Sequence, residues 1–207
     1  MKFFVNFLSA FRIATAFAII PVLLFAIHSA QHSGALYWTG FILFVLGSIS
    51  DWFDGYLARK YNVCTKLGGV MDHIGDKLLV VNTMIMLSII MPAWFIVIPV
   101  LIMISRELYI SGLREFLGTQ KIEMPVPKAR FSMGKIKTTL QMVAVCAFLL
   151  IPALGALITP ANQMIIIKTL FALSYISVGT LWLALIASIW SASEYTMTFI
   201  GHLKKIK

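Results

Sequence analysis

The sequence predicts an all-α integral membrane protein with six transmembrane helices and with both termini in the cytoplasm. Three observations support this fold class: the composition, the number of long apolar stretches, and the one-sided distribution of lysine and arginine. Of the 207 residues, 60% are hydrophobic and 12% are charged. A soluble domain of this length would carry about twice that share of charged residues, so the composition excludes an ordinary soluble enzyme.

Six apolar stretches follow one another along the chain, and each is long enough to cross a bilayer as a helix. They cover about residues 10–28, 36–58, 70–91, 94–116, 132–154 and 165–189. The first is too long for a cleavable signal, and no convincing small-x-small cleavage site follows it. Because almost no sequence remains for a soluble part, we expect residues 1–207 to form a single membrane-embedded domain.

Lysine and arginine lie almost entirely on one side of this predicted topology. An even number of spans puts both termini on the same side, and sixteen of the 17 basic residues fall there; Lys168 is the exception. Since cytoplasmic loops carry the excess of Lys and Arg, we expect cytoplasmic termini in the inner (cytoplasmic) membrane of the cell. The net charge of +9 then describes a basic membrane surface that attracts anionic headgroups and phosphorylated solutes, rather than a nucleic-acid interface.

Four aspartates form a regular grid between the second and third apolar stretches. The chain has only eight acidic residues, and half of them lie within residues 51–76. Their order is Asp51-x2-Asp54-Gly55-x2-Ala58-Arg59, then eight residues, then Gly68-x3-Asp72-x3-Asp76. Residues three or four apart share a helix face, so each half of the grid predicts one acidic stripe at the cytoplasmic end of its helix. The short connection makes the two helices antiparallel neighbours, whose stripes can face each other.

This grid predicts a metal site. Ionised carboxylates near lipid are costly unless they are compensated, and a pair of divalent cations is the simplest compensation for four. The donors are hard carboxylate oxygens without cysteine, which favours Mg²⁺ or Mn²⁺ over zinc. We expect two ions per active site, an arrangement that recurs in displacement at phosphorus. The small residues Gly55, Ala58 and Gly68 suit either close helix packing or close approach of a ligand.

The grid resembles the signature of the CDP-alcohol phosphatidyltransferase family at all eight of its defining positions. Residues 6–12, Asn6-Phe-Leu-Ser9-x2-Arg12, are similar to the family's opening N-x-L-T-x-x-R. Residues 105–115 and 134–142 resemble stretches of the bacterial phosphatidylglycerophosphate synthases. His73 and Gly75 stand where many members have Pro and Ala.

The resemblance implies a six-span fold, usually a homodimer, with an active site that opens to the cytoplasm. The implied reaction transfers the phosphatidyl group of CDP-diacylglycerol to sn-glycerol 3-phosphate and releases CMP. The resemblance assigns metal binding to Asp51, Asp54, Asp72 and Asp76, and the role of general base to Asp76. Contacts to the CDP-lipid are expected from Asn6, Ser9, Gly55, Ala58, Arg59, Thr65 and Gly68.

The implied acceptor carries its own phosphate, so the site needs a second, cationic pocket. The candidates lie near the cytoplasmic ends of the fourth and fifth spans: Arg106, Arg114, Lys135 and Lys137. Arg106 is the foremost candidate because it lies inside an apolar span, where a charge without a function is unfavourable. For Arg114 and Lys137, ordinary anchoring at the membrane surface is the alternative. We expect Glu107 to pair with Arg106 or another basic residue in a structural role.

Two other classes of function fit part of this pattern. A sibling enzyme would use inositol phosphate, serine or phosphatidylglycerol as the acceptor. A divalent-cation transporter would also place carboxylates in spans, but it would need polar groups through the outer half of the membrane. The outer parts of the second and third spans are almost wholly apolar, which favours chemistry at one membrane surface.

Overall fold

The computed structural model describes residues 2–29, 31–61, 66–119 and 133–206. Within the helices, the description leaves out the side chains of residues 2–6, 52, 54–60, 66, 67, 72, 73, 133, 135 and 202–206. The described ranges form six helices and no strand: α1 (Lys2–His28), α2 (Ser33–Tyr61), α3 (Lys66–Ile90), α4 (Trp94–Thr119), α5 (Met133–Gly155) and α6 (Gln163–Ile206). Each helix contains a stretch that is long and apolar enough to cross a membrane. The predicted six-helix membrane fold is therefore confirmed.

The last helix is much longer than its predicted span. The apolar stretch predicts a helix that ends near residue 189, whereas α6 has 44 residues and continues to Ile206. At about 1.5 Å per residue this helix is roughly 66 Å long, about twice the ~30 Å thickness of a hydrocarbon core. The extension packs on α4 through an edge-to-face contact between Phe116 and Phe199, with ring centroids 5.8 Å apart. Packing against a neighbour therefore continues the helix beyond the apolar stretch.

The helices pack around an apolar core, in which α1 lies against α2 and α3, and α5 lies against α6. Its fully buried members include Ile19, Leu23, Phe44, Leu79, Leu149 and Ala184. Hydrogen bonds also tie neighbouring helices together within this apolar region. Asn82 donates to the Ala16 carbonyl across 2.9 Å, and Trp182 donates to the Phe95 carbonyl across 3.1 Å.

At one end of the bundle, α2 and α5 approach each other very closely. A Cβ atom added to Gly34 would lie 2.5 Å from the Cβ atom of Ala156, a separation that requires the backbone of one segment to move. Because consecutive helices alternate in direction, the start of α1 and the end of α6 lie together at the opposite end. We call this opposite end the charged end, because the ion pairs described below lie in the half of the bundle that faces it.

Candidate active site at the charged end

A buried arginine joins the three helices that surround the aspartate grid. The Arg12 side chain on α1 is 0% exposed, and its Nη1 atom lies 2.9 Å from Oδ1 of Asp51 on α2. A Cβ atom added to Gly75 on α3 would lie 3.4 Å from Cδ of Arg12 and 3.7 Å from the carbonyl oxygen of Ser9. The guanidinium stem therefore passes over the small residue that precedes Asp76 and ends on Asp51.

Arg12, Asp51 and Asp76 lie at similar depths in the bundle. Each is ten residues from the helix terminus that faces the charged end, or about 15 Å at 1.5 Å per residue. Asp51 is about one-third exposed, and Asp76 is also partly exposed. Asp51 and Asp54 both lie in α2, and Asp72 and Asp76 both lie in α3. The grid prediction requires each of these pairs to share one helix, and the structure meets that requirement.

These residues fit a divalent cation by the chemistry of their donors. Asp51 and Asp76 supply hard carboxylate oxygens, the ligands that Mg²⁺ and Mn²⁺ prefer. Among the side chains that the structure describes, no three His, Cys, Asp or Glu residues converge on one point. The side chains of Asp54 and Asp72 lie outside that description, so the four-carboxylate site remains a prediction.

A cavity extends from Asp76 into the space between α3, α4 and α5. Its polar wall is formed by Asp76, Lys77, Glu107, Thr138 and Gln141. Its apolar wall is formed by Val80, Val81, Met84, Met103, Ile104 and Met142. Gln141 is 93% buried (7% exposed), and its amide donates to the Met103 sulfur across 3.4 Å. The cavity therefore joins a grid carboxylate to a second group of charged residues.

That second group consists of three cations around one carboxylate. Glu107 forms ion pairs with Lys137, with Arg106 at 3.0 Å and with Lys77 at 3.9 Å. Lys137 and Arg106 are 6% and 9% exposed, whereas Glu107 is 24% exposed. Three positive charges against one negative charge leave this basic cluster with an excess of positive charge. The expected pairing of Glu107 with Arg106 is confirmed.

The other contacts of the α4 arginines are made with α6. Arg106 donates to the Ser191 hydroxyl across 2.9 Å. Arg114, two turns further along α4, donates to the Tyr195 hydroxyl across 3.0 Å, with its guanidinium carbon 5.0 Å from the Tyr195 ring centroid. Since α4 and α6 run in the same direction, Ser191 and Tyr195 meet the two arginines in the same order along both helices.

Comparison with known proteins identifies the family of this helical membrane protein. The sequence model of the CDP-alcohol phosphatidyltransferase family matches residues 3–190, most of the chain. The chain belongs to this family. Members of the CDP-alcohol phosphatidyltransferase family generally use a divalent metal ion.

Three curated relatives are informative about the branch of the family. Each is named as a CDP-diacylglycerol–glycerol-3-phosphate 3-phosphatidyltransferase. The Rickettsia typhi protein is 44% identical over 72% of this chain and 78% of its own length. The Rickettsia bellii protein is 42% identical over 70% and 74%, and the Salmonella typhimurium protein is 31% identical over 78% and 79%.

The predicted site residues of this CDP-alcohol phosphatidyltransferase divide into three groups. Ser9, Asp51 and Asp76 lie around Arg12 and the adjoining cavity, and Gly68 is buried one helical turn before the Asp72 position. Arg106 and Lys137 meet at Glu107, whereas Arg114 lies on Tyr195. Predictions that rest on other side chains fall outside the described part of the chain: Asn6, Asp54, Gly55, Ala58, Arg59, Asp72 and Lys135, together with the whole of Thr65.

Sequence reasoning missed four features of this region. It did not assign a role to Lys77, Thr138 or Gln141 as cavity residues, and it did not pair Arg12 with Asp51. The sequence did contain one indication of the ion pair between Arg12 and Asp51, because a lone arginine within an apolar span requires a partner. Asp51 lies at the matching depth on the next helix.

Proposed function

We propose that this protein is a phosphatidylglycerophosphate synthase of phospholipid biosynthesis, which transfers the phosphatidyl group of CDP-diacylglycerol to sn-glycerol 3-phosphate and releases CMP. The observation that carries the proposal is the cavity that reaches from Asp76 to the basic cluster around Glu107. The reaction needs both features together, because the acceptor has a hydroxyl that must lose a proton and a phosphate that must be held. The names of the relatives support the same acceptor.

The acidic half of the site would hold Mg²⁺ or Mn²⁺ through Asp51, Asp54, Asp72 and Asp76, with two ions in each site. Bound there, the ions would neutralise the negative charge that develops on the pyrophosphate as CMP leaves. The CDP-lipid would contact the residues beside these carboxylates: Asn6, Ser9, Gly55, Ala58, Arg59, Thr65 and Gly68. The small residues among them, Gly55, Ala58 and Gly68, would allow the pyrophosphate to approach the helix backbone.

Asp76 would act as the general base. The acceptor hydroxyl oxygen forms a bond to the phosphorus that carries diacylglycerol, the bond from that phosphorus to the CMP oxygen breaks, and the hydroxyl proton passes to the Asp76 carboxylate. A base must lie within hydrogen-bond reach of the proton that it removes. Asp76 meets this condition for an acceptor in the cavity, since its side chain forms part of the cavity wall.

The basic cluster would bind the acceptor phosphate. Its candidate ligands are Arg106 and Lys137, to which the cavity adds Lys77. Arg114 and Lys135, on the same two helices, are the other candidates. An excess of positive charge in a partly buried site attracts a phosphate more strongly than the same charge in water. Acceptors without a phosphate group, such as serine, would leave this excess charge without a partner.

Four further features belong to the proposal. The protein would act as a homodimer in the inner (cytoplasmic) membrane, with residues 1–207 as a single domain. Its active site would open to the cytoplasm, where glycerol 3-phosphate and CMP are soluble. The lysines and arginines counted on that side of the predicted topology support this orientation.

The test supplies purified protein with labelled CDP-diacylglycerol and Mg²⁺, together with one acceptor at a time, and identifies the lipid product. We expect phosphatidylglycerophosphate from glycerol 3-phosphate, and no product from inositol phosphate, serine or phosphatidylglycerol. Asp76→Asn should lose turnover by several orders of magnitude, because the amide cannot accept the proton. The same variant should retain CDP-lipid binding.

Other outcomes would redirect the proposal. Product formed only with another alcohol would contradict the acceptor and leave the family reaction intact. Full turnover by Asp76→Asn would remove the base assignment. Uptake of Mn²⁺ into proteoliposomes, without lipid product, would favour a transporter instead.

A further inference from the structure

We propose that Arg12 is a positioning residue for the metal site: it fixes the orientation of the Asp51 carboxylate so that this carboxylate can ligate a divalent cation. The inference rests on the proposed function, because it assumes that Asp51 is a metal ligand. The observations that carry it are the complete burial of Arg12 and the 2.9 Å ion pair between its Nη1 atom and Oδ1 of Asp51.

A guanidinium that is 0% exposed must be compensated where it lies, because a buried charge without a partner is strongly unfavourable. Arg12 lies in the apolar helix α1, and Asp51 is its ion-pair partner across the helix interface. Asp51, by contrast, is 35% exposed and could be solvated without Arg12. The ion pair therefore contributes to the charge balance of the buried arginine, and it gives the Asp51 carboxylate a fixed direction.

The path of the Arg12 side chain further restricts the orientation of the Asp51 carboxylate. Arg12 reaches Asp51 by passing Gly75, where a Cβ atom would lie 3.4 Å from its Cδ atom and 3.2 Å from Cγ1 of Ile13. The stem is thus confined between α1 and α3, and the guanidinium has little freedom to follow the carboxylate. One side chain on α1 thereby reaches both Asp51 on α2 and the segment of α3 that carries Asp76.

A carboxylate that is held in this way still has the capacity to bind a cation. The ion pair uses Oδ1, and an ionised carboxylate has two oxygens with about four acceptor sites. Residues that hold a metal ligand in position typically change metal affinity or activity by about 10–100-fold when they are removed. Arg12 matches this description, since it contacts the ligand and has no need to contact the metal itself.

The experiment measures Mn²⁺ binding to the full-length protein in detergent, without lipid substrate, from the electron paramagnetic resonance signal of free Mn²⁺. We expect Arg12→Gln to raise the dissociation constant about 10–100-fold. Arg12→Lys should show a smaller loss, because lysine keeps the charge but lacks the planar fork of donors. In turnover assays, both variants should recover much of their activity at high Mn²⁺ concentration, so that the KM for the metal rises more than kcat falls.

The matched control is Asn82→Leu. Asn82 also joins α3 to α1, through its 2.9 Å hydrogen bond to the Ala16 carbonyl. It lies six residues beyond Asp76 and contacts no grid residue through that bond. It should lower thermal stability and leave the Mn²⁺ dissociation constant within about twofold of the original. If Arg12→Gln does not fold, Arg12→Lys provides the same comparison with the charge retained.

A double-mutant cycle assigns the effect to Asp51. On an Asp51→Asn background, replacing Arg12 should cause little further loss of Mn²⁺ affinity, because the group that it orients is already absent. Unchanged Mn²⁺ affinity in folded Arg12→Gln overturns the inference and leaves the proposed function standing. Tighter binding also overturns it, because Arg12 would then compete with the cation for Asp51. If the unaltered protein binds no Mn²⁺, the proposed metal site fails together with the inference.

Discussion

Glu107 is the residue through which the basic cluster is organised. It is the one carboxylate within ion-pair distance of Lys77, Arg106 and Lys137 among the described side chains. The cations around Glu107 can either neutralise it or bind the acceptor phosphate. These two roles predict different results when Lys137 or Glu107 is replaced. If Lys137 serves only to neutralise Glu107, removal of either partner should have similar consequences. If Lys137 binds the acceptor phosphate, the two removals should differ in their effect on that anion.

We therefore predict different effects on acceptor affinity for Lys137→Gln and Glu107→Gln. Lys137→Gln removes a charged donor, and a hydrogen bond to a charged group contributes about 1.5–3 kcal/mol. The KM for glycerol 3-phosphate should rise roughly 10–100-fold, and the KM for CDP-diacylglycerol should stay unchanged. Glu107→Gln removes the competing negative charge, so the KM for glycerol 3-phosphate should stay the same or fall, although the protein loses thermal stability. Steady-state kinetics with each substrate varied in turn measures both constants.

Two exposed residues supply controls for this pair. Lys168→Gln alters an exposed lysine on α6 near the opposite end of the bundle, and Glu115→Gln alters an exposed acid on the same helix as Glu107. Neither change should move either KM. An equal rise in the acceptor KM for Lys137→Gln and Glu107→Gln would contradict phosphate binding by Lys137, and would assign the pair a structural role.

At the scale of helices, the contact between Gly34 and Ala156 gives a stability prediction. We expect Gly34→Ala to lower the free energy of unfolding by about 1–3 kcal/mol, the usual range for overpacking. The added methyl group would lie 2.5 Å from the Ala156 Cβ atom, which cannot rotate away. Gly155→Ala is the matched control, because a Cβ atom added there meets nothing within 4 Å. Thermal unfolding in detergent compares the two, and an equal effect would contradict the close packing of α2 on α5.

The helices themselves could be predicted because each one satisfies its backbone hydrogen bonds internally, so that a long apolar stretch specifies its own structure. The end of α6 could not be predicted, because residues 190–206 are held partly by side chains on α4, such as Phe116. The aspartate grid could be predicted because it depends on spacing within helices. The Arg12–Asp51 pair depends on how α1 is rotated against α2, and single-helix periodicity does not specify that rotation.

At the scale of the whole molecule, the distribution of charge predicts the orientation in the membrane. We expect the connection between α1 and α2 to lie outside the cytoplasm and the end of α4 to lie inside it. Gln31→Cys and Thr119→Cys place a thiol at an exposed position at each end of the bundle. In a protein with Cys64 and Cys146 replaced by serine, a membrane-impermeant maleimide should label Gln31→Cys in spheroplasts. It should label Thr119→Cys only after the membrane is opened.

The reverse labelling pattern would place the charged end outside the cell membrane and would contradict access of glycerol 3-phosphate from the cytoplasm. Labelling of both positions in closed spheroplasts would show that the cells leak, and Thr119→Cys in inverted vesicles then decides the orientation. The expected result there is labelling without any permeabilising agent. An unlabelled thiol at residue 119 in inverted vesicles would contradict the prediction.

The parallel contact between α4 and α6 also has a consequence for biogenesis. The hydrogen bonds from Arg106 to Ser191 and from Arg114 to Tyr195 join residues 85 and 81 positions apart. A nascent chain that has inserted only its first five helices therefore carries both arginines in the membrane before Ser191 or Tyr195 has entered it. The aspartate grid is synthesised early, whereas the surroundings of these two guanidinium groups are completed only when the final helix leaves the translocon.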